Sequence, residues 1–276
     1  MNDPGLQSLM DQSTFVARVE SGEGPDWVRA HWETFNEGLT GEHEGSPFPC
    51  FFGAESVRAG DPLYTVVPST TDKDALLSLR DVLVEYLDVW PEHSERASLV
   101  TFFAPSEGDW GEREYHEALW HVLQFLHVHD PAPWPEDVPT DPEDPYWEFS
   151  FAGHPMFPTC RAPFYDERRS RYCPVGLEIT FQPRELFERL DVTAESEAGQ
   201  HAREIIQERL VDYDGVCPHA DIGDYGTDLE WPQYMLSADE SQAPDECPIE
   251  ISRAHPKVPP TLDPGVGRPL PRQPSD

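Results

Sequence analysis

The chain has 276 residues, of which 53 are acidic and 19 basic, and its formal net charge is −34. A negative field of this size repels the phosphates of nucleic acids and anionic lipid head groups, so we expect neither nucleic acid nor a membrane as a partner. The length and the 38% hydrophobic content suffice for a substantial core, which excludes a fully disordered chain.

The composition divides the chain into three predicted regions. Residues 1–25 are polar and contain glycine, which predicts a flexible N-terminal arm or a short helix. Residues 26–252 carry the regular elements and are the predicted domain. Residues 253–276 are rich in proline and cannot build a core, so they predict a disordered tail.

In the N-terminal half, apolar residues recur with helical or strand spacing between turn residues. Ser69 or Thr70 is expected to begin the longer helix, and Pro91 to end it. The predicted elements are a helix over 27–35, a proline-punctuated loop over 46–53, a strand over 63–67, a helix over 70–89 and a strand over 97–104.

The strongest predicted helix covers residues 112–129 and ends at Asp130-Pro131. Strands and helices then mix without strict alternation, so we predict a single-domain α+β (mixed α/β) fold, with a central mixed sheet packed by helices. The later predicted elements are strands over 147–151, 156–160 and 177–181, and helices over 184–190 and 198–213.

The sequence also indicates where the protein is found. It has no run of 18 apolar residues, and its N-terminus lacks the basic and apolar regions of a signal peptide, so a cytoplasmic protein is expected. Five cysteines without CxxC spacing predict reduced thiols. Lysine occurs only at Lys73 and Lys257, which fits either a salt-adapted source or GC-rich codon usage.

Four histidines lie on the predicted helix 112–129, and a neutral imidazole nitrogen can ligate a metal or haem iron. The ordinary interpretation is that they are surface or half-buried helix residues. His127 stands out because it lies in the last turn, beside the apolar stripe, where a pocket could open. The four are His116, His121, His127 and His129.

Three further groups carry candidate chemistry. Arginines cluster between residues 161 and 171, either as an anion site or to neutralise nearby carboxylates. Cys50, among phenylalanines, could ligate iron or act as a nucleophile, or simply pack in the core. His219 and Asp221 could join a hydrolytic site, but no serine or cysteine is spaced to support it. The arginines are Arg161, Arg168, Arg169 and Arg171.

Short motifs follow one another between about residues 45 and 236, and their order is similar to that of the YqcI/YcgG family. None is decisive alone, but their number makes the resemblance specific. They include Phe48-Pro49-Cys50, Leu119-Trp120, Leu126-His127, Trp147-Glu148-Phe149-Ser150-Phe151, Pro155-Met156-Phe157, Phe181-Gln182-Pro183-Arg184, Tyr225-Gly226 and Gln233-Tyr234.

The resemblance implies a haem-dependent N-oxygenase (N-hydroxylase) that uses oxygen on the side-chain nitrogen of a small basic amino acid or amine. The partner would be a small cationic substrate; the electron donor stays open, and a homodimer is considered. In the N-hydroxylase branch a Gly-Leu-His-Pro stretch occurs where this chain has Cys160-Arg161-Ala162-Pro163, so that histidine is absent. His127 becomes the candidate axial ligand, with Cys50 and His154 as alternatives.

The same resemblance implies roles for charged residues. Arg168 and Arg171 would bind haem propionates or a substrate carboxylate, and Arg161 would contact the cofactor. Asp130 would hold the cationic amine and help to remove its proton. Two alternatives stay open: a non-catalytic protein that binds a small ligand or partner, and a non-haem iron or hydrolytic enzyme built around His127, His129 and Asp130.

Overall fold

Central strands that are buried on both faces organise the fold around one mixed sheet. The structure is a computed structural model that describes residues 5–239 and 242–253. In these residues six strands form a sheet in the order β1-β4-β5-β8-β7-β6, and eight α-helices accompany it, so the predicted α+β fold is confirmed. Strands β4 and β5 are parallel, and the other neighbours are antiparallel.

The elements have the following bounds. The strands are β1 (Met10–Asp11), β2 (Glu42–His43), β3 (Ser46–Pro47), β4 (Leu63–Val67), β5 (Leu99–Phe103), β6 (Ser150–Phe151), β7 (His154–Arg161) and β8 (Glu178–Pro183). The helices are α1 (Gln12–Ser21), α2 (Asp26–Thr40), α3 (Phe51–Ala59), α4 (Lys73–His93), α5 (Glu112–Val128), α6 (Arg184–Arg189), α7 (Glu197–Asp214) and α8 (Trp231–Tyr234).

Two apolar clusters lie on opposite faces of the sheet because successive strand residues point to opposite sides. On β5, Leu99 and Phe103 pack with the apolar residues of α4 and α5. Val100 and Phe102 face the apolar residues of α1 and α2. Both faces of the central strands are therefore buried, and β4 and β5 read as continuous apolar runs.

Helix α5 is buried almost all round. Every residue from Ala118 to His127 except His121 is buried. The apolar face that the sequence predicts for this helix is buried in the core. A second face is covered by α8 and the segment that follows it, through Trp231, Tyr234 and Ile249. The histidines of this helix consequently lie in different surroundings.

Of the two alternatives predicted for the N-terminal segment, the structure has the short helix, α1, rather than a flexible arm over residues 5–25. Strand β1 pairs with β4, and helix α1 packs on the sheet beside α2. Phe15 is fully buried and stacks on Tyr64 with ring centroids 5.0 Å apart. Leu6, Phe15 and Val19 supply enough apolar surface to order residues 5–25 against the sheet.

Three predicted boundaries also shift. The expected loop over 46–53 contains β3 and the start of α3. Helix α4 begins after Asp72, whose carboxylate accepts the Ala75 N–H at 2.9 Å, and Pro91 lies inside it. The predicted strand 147–151 shrinks to β6 because Tyr234 Oη accepts the Phe149 N–H, which removes that donor from the ladder.

Some predictions concern parts of the chain beyond the described residues. The proline-rich tail, apart from Arg253, lies outside them. Among the residues that the structure does describe, no helix combines the length and the apolarity needed to cross a bilayer.

Candidate functional site

A polar cleft opens beside the N-terminal half of α5. A cavity of about 550 Å³ lies between His116, the loop 216–221 and the segment around α8. Arg168, His219 and Ser237 also line a second cavity of about 380 Å³, so the two cavities adjoin along these residues. We call this pair of cavities the histidine cleft.

His116 contributes a buried imidazole to the histidine cleft. The residue is 5% exposed, and its ring packs on that of Phe164 at 6.1 Å between centroids. Its Nε2 is buried, forms no hydrogen bond among the described residues and lies 3.6 Å from Glu112 Oε1. An uncompensated buried nitrogen costs free energy, which is a reason to look for a ligand there.

Glu112 fixes the rim of the cleft. It lies one turn before His116 on the same helix face. Its two carboxylate oxygens accept the backbone N–H groups of Ala238 and Asp239, both at 2.9 Å. Glu112 thereby ties the segment after α8 to the first turn of α5.

His219 is oriented from both sides of its ring. Its Nδ1 accepts the Asp221 N–H at 3.1 Å, so in the neutral ring Nε2 carries the proton. That Nε2 lies 3.2 Å from Ser237 Oγ and donates to it. His219 and Ser237 therefore form a hydrogen-bonded pair in the wall of the cleft.

Arg168 supplies positive charge to the cleft. It is half-buried and donates to the Cys217 carbonyl at 3.1 Å. The turn that follows is held by Asp214, whose carboxylate accepts the Ser170 N–H at 2.8 Å and the Ser170 hydroxyl at 2.7 Å. Asp214 at the end of α7 thus holds the arginine-rich turn in place.

The other arginines of the predicted cluster separate in space. Arg171 points inward and donates to the Cys160 carbonyl at 3.4 Å, and burial lowers its pKa. Arg161 is buried and pairs with Glu178, with 3.2 Å between Nη1 and Oε1. Arg169 is exposed. Of the four arginines, only Arg168 lines the histidine cleft.

His127 lies further along α5, away from the residues that line the cleft. It is 1% exposed, its Nε2 accepts the Ser252 N–H at 2.9 Å, and its ring meets Trp134 edge-on. This geometry ties the segment around residue 252 to the end of α5. Ligation of iron through Nε2 would require release of the Ser252 amide.

Asp130 shapes the loop after α5. Its Oδ1 accepts the N–H groups of Ala132 and Ala152 at 2.8 and 2.9 Å. His129 donates from Nδ1 to the Phe125 carbonyl at 2.8 Å. The candidate set of His127, His129 and Asp130 does not form a metal-ligand group in the described part of the chain.

His154 lies at the start of β7, where Nδ1 is 2.8 Å from Glu185 Oε1. Both side chains are 37% exposed. The hydrogen bond to Glu185 raises the pKa of His154. Neither residue lines the histidine cleft or the other cavity described below.

Cys50 lines a mainly apolar cavity of about 230 Å³ on the opposite face of the sheet. The N–H groups of Phe52 and Gly53, at the start of α3, donate to its sulfur. Burial raises the pKa of this thiol, although those donors and the nearby Arg171 and Arg209 favour the thiolate. The structure therefore separates Cys50, His127 and His154 into three different places.

The fold and the histidine cleft define an α+β protein with a buried imidazole and a guanidinium on one polar cavity. The model of the YqcI/YcgG family matches residues 35–250, and the chain belongs to that family. The protein named "Uncharacterized protein YqcI" of Bacillus subtilis (strain 168) is 35% identical over 231 residues, which cover 82% of this chain and 88% of that protein.

Two further relatives are similarly distant. "Uncharacterized protein YcgG" of the same organism is 32% identical over 241 residues, or 86% of this chain and 92% of that protein. "Putative N(omega)-hydroxy-L-arginine synthase DcsA" of Streptomyces lavendulae is 32% identical over 254 residues, or 85% of this chain and 93% of that protein. No solved structure matches the chain.

Proposed function

We propose that this protein is a haem-dependent N-oxygenase that acts on the side-chain nitrogen of a small basic amino acid or amine, with the histidine cleft as its active site. The observation that carries the proposal is His116, which lines the cleft together with Arg168 and whose buried Nε2 forms no hydrogen bond among the described residues. The printed name of the Streptomyces relative, an N-hydroxylating enzyme for arginine, supports the reaction type.

The residues of the cleft fit a haem by the chemistry of their donors. The neutral imidazole of His116 offers a nitrogen for iron, the commonest protein ligand for this purpose. The half-buried guanidinium of Arg168 suits a propionate or a substrate carboxylate. When bound, the haem would supply the activation of oxygen, which side chains alone cannot provide.

The remaining polar groups of the cleft would bind the cationic amine and remove its proton. Asp221 lines the cavity, and its carboxylate could pair with a cationic nitrogen and accept the proton that the nitrogen must lose. Asp130 is less suited to this role because its Oδ1 already accepts two backbone amides. The Ser237 hydroxyl, which accepts the Nε2–H of His219, would donate its own proton to a polar substrate atom, and Glu112 would hold the segment after α8 in place.

The test is an absorption spectrum of the protein expressed with added haem, recorded with and without dithionite and carbon monoxide. We expect a Soret band that shifts on reduction. His116→Ala should lower the bound haem by about tenfold or more. His121→Ala is the matched control, because His121 is half-buried on the same helix but does not line the cleft. Full haem binding in His116→Ala would contradict this assignment.

A second candidate function is binding of a small apolar ligand without catalysis. The cavity beside Cys50 favours it, since Phe52, Leu186 and Ile206 line that cavity. Absence of a Soret band would support this alternative. A band that disappears in Cys50→Ala and shows a red-shifted carbon monoxide complex would place a thiolate-bound haem in this cavity instead.

A further inference from the structure

A second group of potential metal ligands lies in the core, apart from the histidine cleft. The ligand atoms of His31, Cys173 and Glu178 all lie within 4.8 Å of one another. Their exposures are 0%, 0% and 1%. The group forms where α2 crosses the end of β5 and the start of β8, and the three residues are far apart in the sequence.

His31 is held with one ring nitrogen directed at the group. Its Nε2 lies 2.9 Å from the Phe103 carbonyl, to which it donates. In the neutral ring, Nδ1 then carries the lone pair, and it lies 3.4 Å from Cys173 Sγ. Donation of the second ring N–H to a backbone carbonyl is the usual support of a metal-bound histidine.

Burial, followed by the charge of Glu178, raises the pKa of the Cys173 thiol to about 11, so a thiolate here needs a bound cation to compensate for its burial. The backbone N–H groups of Val175 and Gly176 donate to its sulfur. A Cβ on Gly176 would lie 3.3 Å from the Phe103 carbonyl oxygen, so the turn packs closely against the end of β5. The turn therefore brings both amides to the sulfur next to the carbonyl that orients His31.

Glu178 is held by Arg161 through contacts of 3.2 and 3.4 Å from Nη1 to its two oxygens. Arg161 is itself fixed by donation to the Tyr172 carbonyl at 2.8 Å. Its positive charge opposes a nearby cation. The carboxylate of Glu178 and a Cys173 thiolate would supply two negative charges, which together with Arg161 would leave a net charge of about +1 on the site when a divalent ion is bound.

We propose that His31, Cys173 and Glu178 bind a divalent cation of the zinc class. Zn–S and Zn–N bonds of about 2.3 and 2.0–2.1 Å at a tetrahedral angle place the two ligand atoms about 3.6 Å apart. The observed separation of 3.4 Å is close to this value. Because the group is enclosed, the ion would bind as the chain folds, and it would stabilise the junction of α2 with the sheet.

The same distance also fits a hydrogen bond from the Cys173 thiol to His31, and the experiment separates the two explanations. The full chain is expressed in minimal medium with Zn²⁺ or Co²⁺, without added haem precursor. It is then washed with EDTA to remove metal ions bound weakly at surface carboxylates. We expect about one zinc per chain and, in the cobalt protein, a thiolate-to-cobalt absorption band in the near ultraviolet.

Cys173→Ser should lower the retained metal at least about tenfold and abolish the cobalt band. Cys160→Ser is the matched control, because Cys160 is equally buried and lies outside the group. His31→Gln provides a second variant if Cys173→Ser does not fold. Wild-type protein that loses its metal to EDTA, or that shows no thiolate band, would overturn the proposal. Zinc and cobalt are counted separately from iron, so the result does not depend on the haem experiment.

Discussion

Arg184 is shared by two buried carboxylates. Its Nε and Nη2 contact the Glu148 oxygens at 2.5 and 2.7 Å, and Nη2 reaches Glu230 at 3.2 Å. Glu148 is fully buried, and the Tyr225 ring covers the guanidinium at 3.4 Å. This group joins β8 and α6 to the segment that carries α8, and so it supports one wall of the histidine cleft.

Removal of the shared guanidinium should destabilise the protein strongly. In Arg184→Met, Glu148 would remain buried without a partner, and we expect a loss of about 3–5 kcal/mol in the free energy of unfolding, measured by urea denaturation. Arg80→Met is the control, because its partner Asp81 is 67% exposed, and such surface pairs contribute about 0–1 kcal/mol. Equal losses of unfolding free energy in both variants would contradict a larger contribution from the buried ion pairs of Arg184.

Glu230 should make stability depend on pH. Burial, followed by the charge of Glu148, raises its pKa from the ordinary 4.5 to about 8. The folded state therefore binds more protons than the unfolded state between these values. The contribution of Glu230 to the free energy of unfolding is complete below about pH 4.5 and is lost as the pH rises through about 8. Glu230→Gln should reduce the pH dependence of the free energy of unfolding between about pH 4.5 and 8. An unchanged dependence in this variant would show that Glu230 is not the group responsible.

Single residues also show what the sequence could and could not predict. The histidines of helix 112–129 are candidate ligands in the sequence, and the position of His127 in the last turn favoured it over His116. The difference between the two in the structure arises from distant segments: the Ser252 amide occupies His127 Nε2, whereas the loop 216–221 opens a cavity beside His116. Likewise His31, Cys173 and Glu178 share no local spacing, and only the sheet topology joins them.

At the scale of elements, predictions succeeded where a run of residues is buried on nearly all sides. The bounds of β4 were predicted to the residue, and α5 to within one. Predicted element boundaries were wrong where a side chain hydrogen-bonds to the backbone in place of the helix or strand. Ser69 Oγ accepts the N–H groups of Thr71 and Asp72 in a turn, so α4 starts later than predicted. α8 has four residues, too few to show helical periodicity.

The N-terminal helix should contribute directly to stability. Phe15 of α1 is fully buried against Tyr64 and Phe102. Phe15→Ala should lower the free energy of unfolding by about 3–5 kcal/mol, because it leaves a cavity on this face of the sheet. Val16→Ala changes the neighbouring, half-buried position and should have a much smaller effect. A loss below about 1 kcal/mol in Phe15→Ala would indicate the flexible arm predicted from composition.

At the scale of the whole molecule, the net charge of −34 sets the response to salt. Repulsion among the carboxylates opposes the compact state, and the screening length falls from about 10 Å at 0.1 M to about 3 Å at 1 M. We expect the midpoint of thermal unfolding to rise with sodium chloride over this range and then to level off. A midpoint that stays constant or falls would show that the repulsion is already balanced within the fold.

The most direct test of the proposed activity follows the oxygen atom. The haem-loaded protein is supplied with a chemical reductant, isotopically heavy oxygen gas and a panel of basic amino acids and amines, and the products are analysed by mass spectrometry. We predict one gas-derived oxygen on the side-chain nitrogen of a substrate, with at least about tenfold less product from His116→Ala than from His121→Ala. No incorporation by haem-loaded wild-type protein across the panel, or equal product from both variants, would contradict an N-oxygenase that acts in the histidine cleft.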